Sequence, residues 1–143
     1  MSTIDVRLLG SSDVGVLDRV ADGVFDNPVD PRWAGQFFGD PRHHLVVAID
    51  DGVVVGMASA VDYVHPDKAP QLFINEVAVA STHRQRGIAA RMLAELLSLG
   101  RALGCTEAWV GTEHDNTPAR RLYESGGGVA EPFVLYLFRL DGH

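Results

Sequence analysis

The chain carries a single cysteine, Cys105, in 143 residues, so no internal disulfide is possible. No apolar run is long enough to span a bilayer, which argues against a membrane partner. No basic stretch followed by an apolar core opens the sequence, so a cytoplasmic location is expected. His43, His44, His65, His83 and His114 show no metal-ligand spacing, and no metal site is expected. Two phosphate signatures are also missing. No Gly-Lys-Ser/Thr follows a glycine turn, and no Gly-x-Gly-x-x-Gly fingerprint occurs. Repeats, low-complexity tracts and linkers are absent, so residues 1–143 read as one domain. What remains is an ordinary globular composition, 46% hydrophobic and 22% charged.

The net charge of −7 opposes a nucleic-acid partner. Its distribution is uneven. Residues 1–70 hold 5 basic and 11 acidic side chains, whereas residues 71–143 hold 7 and 8. The N-terminal half is suited to attract a cation, unless its acidity serves solubility alone.

Residues 4–9 read as a strand, and Ser11, Ser12 and Asp13 as caps for a helix running to Phe25. A short helix is expected over 32–38. Strands over 44–49 and 53–61 are joined by Asp50-Asp51-Gly52, a hairpin signal. A strand over 72–79 follows. Apolar residues at helical spacing from Gly87 to Leu103 predict an amphipathic helix that Gly104 stops. A strand over 106–112, a helix opened by Asn116-Thr117-Pro118, and a last strand over 133–140 complete the chain. This order predicts an α/β fold, a mixed sheet with helices on both faces.

The turn Arg84-Gln85-Arg86-Gly87-Ile88-Ala89 joins the strand over 72–79 to the long helix. A helix start offers unpaired N–H groups and a positive dipole end, and Gly87 permits close backbone approach. With Arg84 and Arg86 beside it, the turn is a cradle for phosphate.

With an acidic residue in the preceding strand (Glu76), an Asn before a helix (Asn116) and the pair Leu122-Tyr123, the segment from Ile74 to Gly128 resembles the GCN5-related N-acetyltransferase (GNAT) family. Within it, the stretches Asn75–Val79, His83–Ala89 and Asn116–Tyr123 look most like the type I aminoglycoside 3-N-acetyltransferases. One departure is that those enzymes place an Asp where this chain has Glu76. The resemblance implies a GNAT-like acyl-CoA N-acyltransferase fold and acetyl-CoA as co-substrate. It implies that the pyrophosphate rests on the backbone of Arg84, Gln85, Arg86, Gly87, Ile88 and Ala89. It implies further that pantetheine pairs with Val77, Ala78 and Val79 and meets Asn116, a backbone N–H near Val77 facing the oxyanion. Relatives also dimerise, so a homodimer is among the expectations.

Acetyl transfer needs a base for the ammonium, donors for the oxyanion and an acid for the thiolate. Glu76, flanked by apolar residues, is the candidate base, alone or through water; a solvent-facing strand-end Glu or an Arg salt bridge is the other reading. Tyr123 matches the family's acid, and packing as a helical aromatic is compatible with that. Asn116 is equally well a helix N-cap. Arg120 and Arg121 read as a solvated helix face, and His114 as a minor alternative base.

The acceptor side is expected between the N-terminal helices and the loops after the central strands. Asp26, Asp30, Trp33, Tyr63 and Glu76 are the candidate substrate-binding residues. Acidic and aromatic lining suits a polycationic amine, although Asp before Pro is also turn chemistry. Three functions stand: acetylation of an aminoglycoside-type small amine, acetylation of peptide, protein or other small amines, and a non-catalytic acyl-CoA sensor.

Overall fold

The computed structural model describes residues 3–142. Strands β1 (Asp5–Leu8), β2 (His43–Asp50), β3 (Val53–Tyr63), β4 (Gln71–Val79) and β5 (Ala108–Trp109) form one sheet in that order. The first four pair antiparallel and β5 joins β4 in parallel, so the mixed sheet read from the sequence is the sheet that forms. The β2–β3 hairpin turns on Asp51 (φ 50°) and Gly52 (φ 75°). Two left-handed residues in succession match the right-handed twist of the flanking strands.

Helix α1 (Pro31–Gly39) starts at Asp30, whose side chain accepts the Arg32 N–H at 2.8 Å, with Pro31 in the first turn. Helix α2 (Ile88–Ala102) lies across β1 to β4 and buries Ile88, Met92, Leu93 and Leu96. Helix α3 (Thr117–Ser125) follows β5 and buries no side chain completely. The core fills both faces of the sheet, with Val46 and Leu72 on the α2 side and Val47 and Met57 on the α1 side, all inaccessible or nearly so.

One irregularity in the sheet positions the site. Ser59 faces Glu76 across the β3–β4 ladder, yet the next residue, Ala60, faces Ile74. Asn75 is therefore an extra residue on β4, a bulge. Strand side chains alternate between faces, and Leu72 and Ile74 are both buried. Without the bulge, Glu76 would share their face. With it, Glu76 turns to the opposite face beside Ser59, while Val77 and Val79 take the buried side's parity.

Three expectations need correction. The helix expected from residue 13 to Phe25 is only a 3₁₀ turn over Val14–Asp18. Beyond it Val20 makes an isolated bridge to Val54, with Val54 N–H donating to Arg19 O and Ala21 N–H to Val54 O, before turns over 22–27. Val14, Val16, Val20 and Val24 are β-branched, and Gly23 adopts φ 83°, so helix propensity there is weak. The strand expected over 106–112 shrinks to two residues, because its neighbour β4 diverges. The strand expected over 133–140 does not form: those residues pair with no strand of the sheet.

The core's position yields a stability contrast. Leu96→Ala, at a fully buried site, is expected to cost about 2–5 kcal/mol. Leu103→Ala, at the partly exposed end of α2, is expected to cost under about 1 kcal/mol. Urea unfolding of both variants tests the difference, and equal costs would displace the core from the α2–sheet interface.

Candidate active site

β4 and β5 pair only at Leu72↔Ala108 and Phe73↔Trp109. Beyond these residues the strands part, and a cavity of about 280 Å³ opens between them. Glu76, Val77 and Ala78 line one wall; Gly111, Asn116 and Tyr123 line the other. The hydrogen-bonding parity of β4 follows from one bond. Ala80 N–H donates to Val55 O, toward β3. Backbone polarity alternates along a strand, so Ala78 also faces β3 while Val77 and Val79 turn their N–H and C=O groups toward the cleft. Arg84 Nε donates to Val79 O at 3.3 Å, which fits that direction. A parted strand pair thus leaves main-chain donors aimed into a cavity.

At the end of β4 a 3₁₀ turn over Ser81–His83 leads into the basic turn. Gln85 (φ 63°) and Gly87 (φ 74°) are both left-handed, with Arg86 between them outside that region. Such alternation curls successive N–H groups into an anion-binding nest. Gly87 caps α2 without a side chain, and the N–H groups of Ile88, Ala89 and Ala90 have no intrahelical acceptor. Arg84 and Arg86 stand exposed at the rim. A further anchor was not read from the sequence: His83 Nε2 is hydrogen-bonded to Asp50 Oδ2 at 2.7 Å, tying the turn to the β2–β3 hairpin. The residues are 33 positions apart, and no local pattern signals the pair.

A second cavity, about 310 Å³, lies on the α1 side of the sheet. Phe25, Trp33, Phe37 and Met57 give it an apolar lining; Asp26, Asp30, Ser59 and Glu76 add polar groups. Glu76 and Asp26 line both cavities and so stand where the two meet. Burial raises the Glu76 pKa above the ordinary glutamate value, and the nearby Asp26 carboxylate raises it further. Asp30 is partly committed already, as the α1 cap and 3.9 Å from Arg32. Arg32 also lies over the Trp33 ring, 4.2 Å from its centroid.

Tyr123 is held on α3, where its carbonyl accepts the Gly128 N–H at 2.9 Å. Burial raises its pKa, so it stays a protonated donor at neutral pH. The Asn116 side chain accepts the Ala119 N–H at 3.2 Å. The cap reading of Asn116 is therefore realised, and its amide donors remain for the cavity it lines.

Tyr63 does not join this group. It lies opposite Gln71 at the far end of β3, donates to Gln71 Oε1 at 3.0 Å and accepts from Trp109 Nε1. It lines neither cavity, because it lies four positions beyond Ser59 along the strand. Arg120 is bound to the His114 carbonyl at 2.9 Å and lies 3.8 Å from Glu124, as a solvated helix face would be. The basic turn can hold an anion, and the α1-side cavity can hold a cation beside its acidic groups, with Asp26 and Glu76 where the two cavities meet.

Residues 17–127 match the model of the "Acetyltransferase (GNAT) family". The chain is 33% identical over 94 residues to the aminoglycoside N(6′)-acetyltransferase type 1 of Salmonella typhimurium strain LT2, a match covering 63% of this chain. It spans 65% of that relative's length. Over 70 residues it is 39% identical to the L-2,4-diaminobutyric acid acetyltransferase of Oceanobacillus iheyensis, covering 49% of this chain and 37% of the other. Among solved structures, aminoglycoside acetyltransferase AAC(6′)-Iy with a bisubstrate analogue, CoA-S-monomethyl-acetylneamine, superposes with a TM-score of 0.77 at 24% identity. That likeness covers 96% of this chain and 99% of the other, and it establishes the fold. The aminoglycoside relatives are of the 6′ type, which corrects the 3-N type suggested by the sequence pattern.

The electrostatics of the junction are directly measurable. Carboxyl ¹³C NMR is expected to show Glu76 titrating above the ordinary glutamate range. Asp26→Asn should lower that pKa without restoring it, because burial is the larger cause. Full restoration would make Asp26 dominant.

Proposed function

The chain belongs to the acetyltransferase (GNAT) family, and from that premise we propose that it transfers acetyl from acetyl-CoA directly to a primary amine of an aminoglycoside-type polycationic small molecule. One observation carries this reading: Glu76 and Asp26 stand at the junction of an acidic, aromatic cavity and the cleft that holds Tyr123.

In this reading the nest from Arg84 to Ala89 binds the CoA pyrophosphate, its N–H groups and the α2 dipole matched to an anion. Val77 and Val79 pair with the pantetheine amides in the manner of an added strand, and Asn116 contributes its amide. Asp26, Asp30 and Trp33 receive the cationic acceptor. Glu76, directly or through water, takes one proton from the ammonium. The freed nitrogen attacks the acetyl carbonyl carbon as the C–S bond breaks. The Val77 N–H stabilises the charge that develops on the carbonyl oxygen. Tyr123 gives its proton to the departing thiolate, its raised pKa keeping that proton available until then, and the second proton shed by the acylated nitrogen restores the tyrosine.

Because Glu76 works as the carboxylate and its pKa is raised, activity is lost as pH falls through that raised value, earlier than for an ordinary Glu. Each transfer removes a positive charge from the acceptor, the change that makes aminoglycoside acetylation a route to antibiotic resistance. The acceptor is taken as a small molecule, not nucleic acid, in line with the net charge of −7. No helix among the described residues is long and apolar enough to cross a membrane. We place the enzyme in the cytoplasm as a homodimer, with residues 1–143 as one catalytic domain and no metal in the reaction.

A thiol-release assay across aminoglycosides, diamino acids, polyamines and peptides tests the reading. Turnover is expected with aminoglycosides. Turnover confined to diamino acids would favour the smaller acceptor that the diaminobutyrate relative suggests, and tight acetyl-CoA binding without any turnover would make the chain a sensor. Glu76→Gln should lower kcat by about 10²–10⁴-fold while leaving acetyl-CoA affinity nearly unchanged. Tyr123→Phe should lower kcat by about 10²-fold. Asp26→Asn should raise the amine KM more than Asp30→Asn, since Asp30 is partly spent on the α1 cap.

A further inference from the structure

Between the last ladder bond of β4 and the first buried residue of α2, the basic turn stands in solvent. Ala80 N–H donates to Val55 O at 2.8 Å on one side, and Ile88 is only 2% exposed on the other. Of residues 81–87 between them, His83 is the one that is not exposed. Its ring reaches to the β2–β3 hairpin, where Nε2 lies 2.7 Å from Asp50 Oδ2, the two side chains being 16% and 15% exposed. A carboxylate only accepts, so Nε2 carries the N–H of this bond. Nδ1 is then free to accept from Thr82 Oγ1, 2.7 Å away, and both ring nitrogens are engaged. Asp50 ends β2 in register with Val53, so the anchor stands on the sheet itself.

The turn has need of an anchor. Gln85 holds φ 63° without being a glycine, a conformation that persists only where the surroundings impose it. The Gln85 side chain is itself exposed. The constraint comes from the two ends, Ile88 buried in the first turn of α2 and His83 bound to the hairpin two residues before Gln85. A nest holds an anion only while its N–H groups converge, and a loose turn must be ordered by the ligand at a cost in affinity. Neither His83 nor Asp50 lines either cavity, so their bond bears on the phosphate end of the cleft and not on the acetyl group or the amine.

We propose that His83 is a positioning residue for the carrier's pyrophosphate, with Asp50 as its anchor: their bond holds residues 85–87 in the anion-binding shape before the carrier arrives. This rests on the acetyl-CoA reading of the turn and adds to it a pair that acts through the backbone of the nest and not on the phosphates.

Calorimetry with CoA and steady-state kinetics test the pair. His83→Ala is expected to weaken CoA binding and raise the acetyl-CoA KM about tenfold, with kcat at saturation nearly unchanged. Asp50→Ala, on the hairpin, should do the same. His83→Gln puts an amide N–H close to the place of Nε2 and should restore most of the affinity. S-acetylpantetheine, which has no pyrophosphate, separates positioning from general damage: its kcat/KM should be the same in the unaltered and substituted chains. Unchanged CoA affinity in folded His83→Ala overturns the proposal, and so does an equal loss with S-acetylpantetheine. Failure of the unaltered chain to bind CoA removes the acetyl-CoA reading as well, whereas equally tight binding by all the chains removes this inference alone. Should neither alanine variant fold, ¹⁵N relaxation of the unaltered chain without ligand decides. Gln85 to Gly87 are expected to be as rigid as α2, and fast motion there overturns the proposal.

Discussion

The β4 strand is hydrogen-bonded along its whole length to β3 but touches β5 at two residues only. This asymmetric pairing is the constraint from which the site follows. A strand bonded on both edges has no donors to spare, and one bonded on neither would not hold its geometry. β4 is rigid where it meets β3 and open where β5 departs. The bulge at Asn75 acts at the same point. It turns Glu76 away from the α2 side, and the parity after it directs the Val77 and Val79 backbone into the opening. One extra residue thus sets both the Glu76 side chain and the Val77 backbone, the proposed base and oxyanion donor.

Electrostatics divide along the same line. The turn after β4 concentrates positive potential in main-chain donors, two arginines and the start of α2, all on the side of the parted strands. The carboxylates gather on the α1 side, where Asp26 meets Glu76. Two neighbouring carboxylates resist joint ionisation, and burial adds to that resistance. Asp26 therefore has two effects that oppose one another. It suits a cation in the cavity, and while the cavity is empty it adds to the raised pKa of Glu76. A bound ammonium would relieve the repulsion, so the proposed acceptor itself would favour the ionised form of the proposed base.

Much of this was legible in the sequence because it is local. Arg84-Gln85-Arg86-Gly87 between a strand and a helix, the Asp51-Gly52 hairpin and the Asn116 cap each lie within a few residues, and each forms. Long-range relations were not legible. Tyr63 shares an acidic and aromatic neighbourhood in sequence with Asp62, yet strand length carries it to the far end of β3. The bulge at Asn75 has no marker, since neither Gly nor Pro accompanies it. The His83–Asp50 pair joins two turns that only the fold brings together. The expected helix before Phe25 failed because its cap residues suited a helix start while its valines and glycines did not suit a helix.

Burial is unequal along the chain, and the inequality bears on function. Among the described residues, every buried hydrophobic side chain lies at or before Leu96. Glu76 and the turn at Gly87 therefore belong to a framework with a complete core. Tyr123, Asn116 and Gly111 belong to a later part that contributes only partly buried side chains, such as Val110, Leu122 and Tyr123. Local stability follows buried apolar contact, so one wall of the cleft is firm and the other yields more readily. A ligand that binds both walls gains most where the second wall is already held. The exposed apolar residues of 133–140 and the partly buried Tyr123 thus share one cause, the absence of fully buried hydrophobic side chains after residue 96 among the described residues.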